Sequence, residues 1–263
     1  MPGPGLRLLR HPPADGPWNM AVDEAIAASV GEGSSPPTLR LYGWQPPTVS
    51  LGYLQPAAAL VPACRTLRIP LVRRPTGGRA VLHDQERTYS LALPWAPPWS
   101  LRSVPERFRL LAGGLIGGLA RLGVEAVLAD GREPAAGARA EAACFRVRRQ
   151  PAVLCRGRKL AGAAERRFPT ALLQHGSLLL RFDAALHGAV FPAWPSPERQ
   201  VVWLEAVLGR LPDLERLDAA LAAGWETALG LACRPGHLTP AEAEAARRLA
   251  AERYGASAWT LQR

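Results

Sequence analysis

The chain has 263 residues, 48% of them hydrophobic, and a formal net charge of +10 at pH 7, which suits one large domain, or one with a small appendage, around a sizeable core. No run approaches the ~20 consecutive apolar residues of a membrane span, and residues 1–10 lack a signal-peptide core, so a cytoplasmic protein is expected. Cys64, Cys144, Cys155 and Cys233 are scattered without a CxxC pair, and the five histidines lack metal-ligand spacing, so neither disulfides nor a metal are expected.

Residues 18–30 place apolar side chains at roughly helical spacing, and Gly31 stops the pattern. Residues 38–42 and 48–53 predict strands on either side of the turn Gly43-Trp44-Gln45-Pro46-Pro47. A short strand at 69–73 leads into Pro75-Thr76-Gly77-Gly78, and 88–93 predict another. A helix follows over 104–122, where glycine pairs at 113–114 and 117–118 imply close packing. Residues 131–142 read as a polar, small-residue loop. Residues 152–155 and 159–164 read as a hairpin around Arg156-Gly157-Arg158, and 171–182 as a strand interrupted by Gln174-His175-Gly176-Ser177. Beyond Pro192 the pattern is helical, over 214–229 and 239–254. The second of these opens with Thr239-Pro240-Ala241-Glu242, a cap, a first-turn proline and a capping-box glutamate. Strands and helices mix without regular βαβ alternation. The fold class is therefore α+β, a mixed, largely antiparallel sheet with packed helices and further C-terminal helices.

Of the 32 basic residues, Lys159 is the only lysine. Two readings of that solitude stand side by side: the position needs a compact ammonium in place of a broad planar fork, or one lysine survives by drift. The arginines are spread along the chain with no nucleic-acid motif, so nucleic acid is not the expected partner; an acidic protein accounts for the charge as well.

Four segments carry a resemblance. Trp18-Asn19-Met20-Ala21-Val22-Asp23-Glu24, the run from Arg73 to Asp84 around Gly77-Gly78-Arg79, Gly157-Arg158-Lys159-Leu160-Ala161-Gly162, and Gln174-His175-Gly176-Ser177 occur in this order. Together they resemble the biotin/lipoate protein ligase superfamily, in its lipoate-protein ligase A-like branch. The glycine pair followed by Arg79, and Cys144 fifteen residues before Lys159, resemble the cysteine-dependent octanoyltransferases more than the ATP-dependent ligases. The resemblance implies an N-terminal segment at 1–16, a catalytic domain at 17–230 and a helical extension at 231–263.

It also implies a reaction. Octanoate would pass from the phosphopantetheine thioester of acyl carrier protein to Cys144, then to a lysine of a lipoyl domain or of glycine cleavage H protein. No cofactor is implied, and ATP enters only if the chain is a lipoate or octanoate ligase. An amidotransferase moving octanoate between lipoyl proteins would use the same cysteine chemistry, and a non-catalytic binding protein on the same scaffold would use none. Cys144 and Lys159 are the expected catalytic pair, because a nearby cation lowers a thiol pKa. Arg74, Gly77, Gly78, Arg79, Ala80, His83, Gly162, His175 and Gly176 are the expected binding positions. Arg74 and Arg79 are expected to meet phosphopantetheine or solvent, and Cys155 to pack in the core.

Overall fold

In the computed structural model, which describes residues 5–129, 152–194 and 196–262, two sheets carry the architecture. The larger has eight strands in the spatial order β11 (Cys233–Pro235), β1 (Leu6–Arg10), β2 (Thr38–Tyr42), β6 (Glu86–Pro94), β10 (Ala171–Leu179), β9 (Arg158–Arg167), β8 (Ala152–Cys155) and β7 (Val127–Leu128). The smaller is β4 (Leu71–Arg73), β3 (Thr48–Leu51) and β5 (Val81–His83). Pairing is antiparallel from β2 through β7 and between β3 and β5. It is parallel where β1 meets β2 and β11, and where β3 meets β4.

Strand alternation assigns each face of the large sheet its task. Tyr89, Leu91 and Leu93 of β6 join Leu172 and Leu178 of β10 in a core closed by α3 (Val104–Ala120) and α6 (Leu214–Leu229). The opposite face puts Ala92 and Leu173 against α1 (Gly16–Gly31), with α7 (Pro240–Leu249) packed outside it. Asp15 caps α1 by accepting from the Trp18 amide at 2.8 Å. The third core lies under the small sheet, with Cys64 of α2 (Val61–Leu67) and Val190 of α4 (Ala184–Val190). The glycines of α3 let α6 approach backbone to backbone. A Cβ on Gly118 would stand 2.7 Å from the Leu221 Cα, and one on Gly224 would strike the Gly114 carbonyl.

Arginine serves as an internal cross-link. Arg7, Arg40, Arg73, Arg74, Arg87 and Arg107 are all buried. Arg7 forks onto Glu242 at 2.9 and 2.5 Å, joining β1 to α7, and Arg87 forks onto Asp218 at 2.8 and 2.6 Å, joining β6 to α6. A planar guanidinium suits such two-point contacts and an ammonium does not. Part of the positive charge is thus spent inside the molecule.

Two expectations need correction. Residues 171–179 form one unbroken strand: Gly176 makes room for the Tyr89 ring on the adjacent strand, and the polar residues beside it find buried partners. Residues 239–254 are not a single α-helix, because α7 ends at Leu249 and the chain continues as a π-helical turn over Ala250–Tyr254. Local sequence pattern also gave no sign of β1, whose residues Arg7–Arg10 pair with Thr38–Leu41. No helix among the described residues is long and apolar enough to cross a membrane.

Candidate active site

The two sheets face each other across a narrow cleft lined by residues of both. Its floor is set by register. Gly162 of β9 pairs with Ser177 of β10, Ser177 with Thr88 of β6, and Thr88 with Tyr42 of β2, so the four form one row across the large sheet. Ser50, Val81 and His83 of the small sheet form the roof, while Met20 of α1 and Trp44 complete the wall.

Lys159 stands at the Gly162 end of this row. It is 1% exposed, and both its backbone groups are pinned: its amide donates to the Gln200 carbonyl and its carbonyl accepts from Val202, each at 3.0 Å. Its side chain lies across Gly162, where an added Cβ would meet Cε at 3.0 Å and Nζ at 3.2 Å. The absent side chain at 162 therefore provides the space in which the ammonium sits.

The polar interior is organised by Arg74. Its Nη1 donates to the Ser50 hydroxyl at 3.0 Å, and its Nε donates to the Thr76 hydroxyl at 3.2 Å. Ser50 Oγ lies 2.7 Å from His83 Nε2, and His83 Nδ1 lies 2.7 Å from Glu86 Oε1. In parallel, Thr76 Oγ1 lies 2.6 Å from His175 Nε2, and His175 Nδ1 lies 3.3 Å from Asp23 Oδ2. Each hydroxyl accepts from Arg74 and is also hydrogen-bonded to an imidazole Nε2. Each Nδ1 in turn faces a carboxylate. Two hydroxyl–imidazole–carboxylate chains thus diverge from one guanidinium.

Burial pushes the Glu86 carboxyl up, but His83, Ser177 and Thr88 outweigh it and hold it below the usual range. Asp23 is likewise pushed up by burial and held low by Arg40, His175 and Ser90. Burial lowers the His175 pKa, against the opposing pull of Asp23. With donors and acceptors consumed by one another, the surface left to the cleft is almost wholly carbon. The site suits an apolar chain.

Arg74 also shapes the glycine-rich loop, since its Nη2 donates to the Gly77 and Arg79 carbonyls at 2.7 Å each. Gly78 adopts φ +95°, and its carbonyl packs so closely on Gly52 that a side chain at 52 would collide with it.

Of the residues expected from sequence, Arg74, His83, Gly162, His175 and Gly176 line the cleft, with Lys159 against Gly162. Gly77 and Arg79 are tied to the same site through Arg74, with Gly78 and Ala80 in the same loop. Arg74 does not face solvent: it is 4% exposed and bonded within the loop. Cys144 lies outside the described residues. Cys155 is buried in the α3/α6 core, where burial raises its thiol pKa. Sequence reasoning missed Asp23, Ser50, Glu86, Thr88, Ser177 and Trp44. The visible signal was polar residues, Glu86-Arg87-Thr88, at the start of an otherwise apolar strand. Among the described residues, no group of three His, Cys, Asp or Glu side chains is placed to hold a metal ion.

The family model for the lipoyl protein ligase A/B catalytic domain matches residues 15–226. An octanoyltransferase LipM from Kyrpidia tusciae is 41% identical over 273 residues, covering 98% of each chain. The crystal structure of a lipoate-protein ligase A bound with ATP superposes with a TM-score of 0.84 over 98% of each chain at 24% identity. A bipartite lipoate protein ligase from Thermoplasma acidophilum, described with its E2 lipoyl domain, gives a TM-score of 0.78 at 24% identity, covering 98% of this chain and 96% of that one. These two structural likenesses speak for the fold.

Proposed function

Because this chain belongs to the lipoyl protein ligase A/B catalytic-domain family, we propose that it is an octanoyltransferase of protein lipoylation working through a cysteine thioester. The chain is an acyltransferase, and lipoyl-domain proteins are its acceptors. The observation that carries the mechanism is the Lys159 ammonium laid over Gly162 at one end of a carbon-lined cleft.

In this reading the Cys144 thiolate attacks the carbonyl carbon of an octanoyl thioester on the phosphopantetheine of acyl carrier protein. The new C–S bond forms, the carbonyl is restored, and the phosphopantetheine thiolate leaves and takes up a proton. One thioester replaces another, so the step is nearly balanced in free energy and needs no ATP. The neutral amine of an acceptor lysine then attacks the Cys144 thioester. The nitrogen loses its proton, the cysteine sulfur departs, and a stable amide remains. Lys159 serves both halves: its charge favours the thiolate, and its N–H groups face the oxygen on which negative charge develops.

The acidic surface of a carrier protein accounts for the arginine excess left at the surface, since complementary charge accelerates encounter. Lipoyl domains and glycine cleavage H protein are the proposed acceptors, in the cytoplasm. The test is transfer from octanoyl-carrier protein to a purified lipoyl domain, read by the mass of the domain, with and without ATP. Octanoylation without ATP is expected. Transfer only from free octanoate plus ATP would replace this reading with a ligase.

A further inference from the structure

We propose that Arg73 is a positioning residue for acyl transfer, and that the C-terminal segment it grips is a clasp holding the glycine-rich loop in place. The inference rests on the acyl-transfer reading above and gives the far end of the chain a part in it.

Arg73 and Arg74 are neighbours that point different ways, as alternation along a strand dictates. Arg74 turns its donors to Ser50, Thr76 and the carbonyls of its own loop. Arg73, the last residue of β4, is fully buried and reaches two segments outside the cleft lining. Its Nη1 donates to the carbonyls of Gly52, Tyr53 and Gln55 at 2.8, 3.1 and 2.7 Å. Its Nε and Nη2 donate to the Thr260 carbonyl at 3.2 and 2.8 Å. That carbonyl ends the short helix α8 (Ser257–Thr260), where no intrahelical amide is available to it. Trp259 of the same helix answers with its indole N–H, which donates to the Arg73 carbonyl at 2.9 Å. One guanidinium fork thus joins the end of the chain to residues 52–55, a two-segment grip that the compact ammonium of a lysine does not span.

Both sides of the grip are anchored. Arg253 and Tyr254, which precede α8, each bond Glu24 of α1, and the Arg253 guanidinium lies 5.0 Å from the Trp259 ring centroid. Residues 52–55 lead to the site. The Tyr53 amide donates to the Thr76 carbonyl at 2.9 Å, and the Gly78 carbonyl rests on Gly52. The Thr76 hydroxyl in turn is bonded to His175 in the cleft at 2.6 Å. Arg73 therefore acts through the loop and not on the substrate. Releasing the grip withdraws residues 52–55 from the glycine-rich loop and shifts the wall that the loop forms. A displacement of about 1 Å in such a site costs on the order of 10²-fold in rate.

The experiment compares the wild type with Arg73→Lys, Trp259→Phe and Arg7→Lys. Arg7 is a second buried arginine with a two-point contact, joined to Glu242 outside the cleft lining, and controls for lost stability. For each protein, kcat and KM are read for transfer from octanoyl-carrier protein to a lipoyl domain, beside thermal melting and amide hydrogen exchange. Arg73→Lys is expected to lower kcat about 10–100-fold with KM within about threefold of wild type. It is also expected to speed exchange about tenfold or more in residues 52–55 and 74–80, but not in β6 or β10. Trp259→Phe keeps a ring and loses one bond, and should move both readouts in the same direction by less. Arg7→Lys should melt lower yet keep its kcat. If Arg73→Lys does not fold, Trp259→Phe decides. Wild-type kcat in a folded Arg73→Lys, or an equal loss in Arg7→Lys, would overturn the positioning role. Wild-type exchange in both loops would overturn the clasp, while leaving the transferase reading intact. A wild type that transfers no octanoyl group would bring down the transferase reading and the positioning role with it, whereas the exchange of the two loops tests the clasp without any turnover.

Discussion

A single methyl group added at Gly162 probes the site without removing any functional group. In Gly162→Ala, the new Cβ would stand 3.0 Å from Lys159 Cε and 3.2 Å from Nζ. Both are closer than comfortable van der Waals contact, and the neighbour is the far end of a flexible side chain. The lysine therefore gives way while the strand stays put. Replacing glycine restricts the unfolded chain, worth about 0.4–1 kcal/mol in favour of the variant, which offsets the cost of moving the side chain. Net stability should stay within about 1 kcal/mol of wild type, read by urea unfolding. The ammonium would shift by about 0.5–1 Å, and misplacement on that scale costs on the order of 10²-fold in rate. Octanoyl transfer should fall by that factor in a protein that melts normally. Transfer within about threefold of wild type would refute the claim that the position of the Lys159 head governs the reaction.

Lys159→Arg keeps the charge but not the compact head, and should lower transfer about 10²–10³-fold in the same assay; near-normal turnover would make the chain's one lysine incidental. Gly224→Ala drives a methyl into the Gly114 carbonyl and the Gly118 amide. It should cost about 3 kcal/mol or more of stability by overpacking backbone that cannot yield. A wild-type urea midpoint would contradict the close α3–α6 crossing. His11 accepts from Arg40 at 2.9 Å, and burial, helped by Arg40, lowers its pKa from 6.5 to about 4. The unfolded chain therefore takes up a proton as pH falls below 6.5 while the folded one resists, so this stability is full above 6.5 and is lost from there toward pH 4. The loss between pH 7 and 5 should be about 1 kcal/mol after allowing for partial exposure. His11→Gln should flatten the slope of unfolding midpoint against pH, leaving a residual contribution from His175, whose pKa is lowered in the same sense. An unchanged slope would place the titration elsewhere.

The periodic parts of the fold were legible because one strong signal set each of them. The helices at Gly16–Gly31, Val104–Ala120 and Leu214–Leu229 follow apolar spacing and caps, and the hairpin of β8 and β9 follows its turn residues. The short and edge elements were not legible. Leu6–Arg10 is a five-residue strand made by pairing with residues 38–41 and 233–235, partners that local pattern does not announce. The break expected at 174–177 failed for a related reason. His175 and Ser177 look like turn residues, yet Thr76, Asp23 and Glu86 satisfy them from distant segments.

The site divides along the same line. Lys159, the glycine-rich loop and both histidines could be picked out because their residue types stand out or match a family pattern. Ser50, Thr88 and Glu86 could not, since a serine in a strand or a glutamate beside a histidine is ordinary until tertiary pairing gives it a partner. Arg74 was picked out by its place in the loop, and of its two expected settings the solvent-facing one is overturned by its burial. Its position in the loop suggested an outward contact, whereas its donors turn inward to two hydroxyls and the loop's own carbonyls.

The central claim is that octanoate passes through a thioester on Cys144. Intact-protein mass after incubation with octanoyl-carrier protein, in the absence of an acceptor, tests it most directly. The wild type and Cys155→Ala should each gain one octanoyl group that hydroxylamine removes and an added lipoyl domain discharges. Cys144→Ala should gain none and transfer none. An octanoyl adduct on Cys144→Ala, or its loss only in Cys155→Ala, would contradict the mechanism.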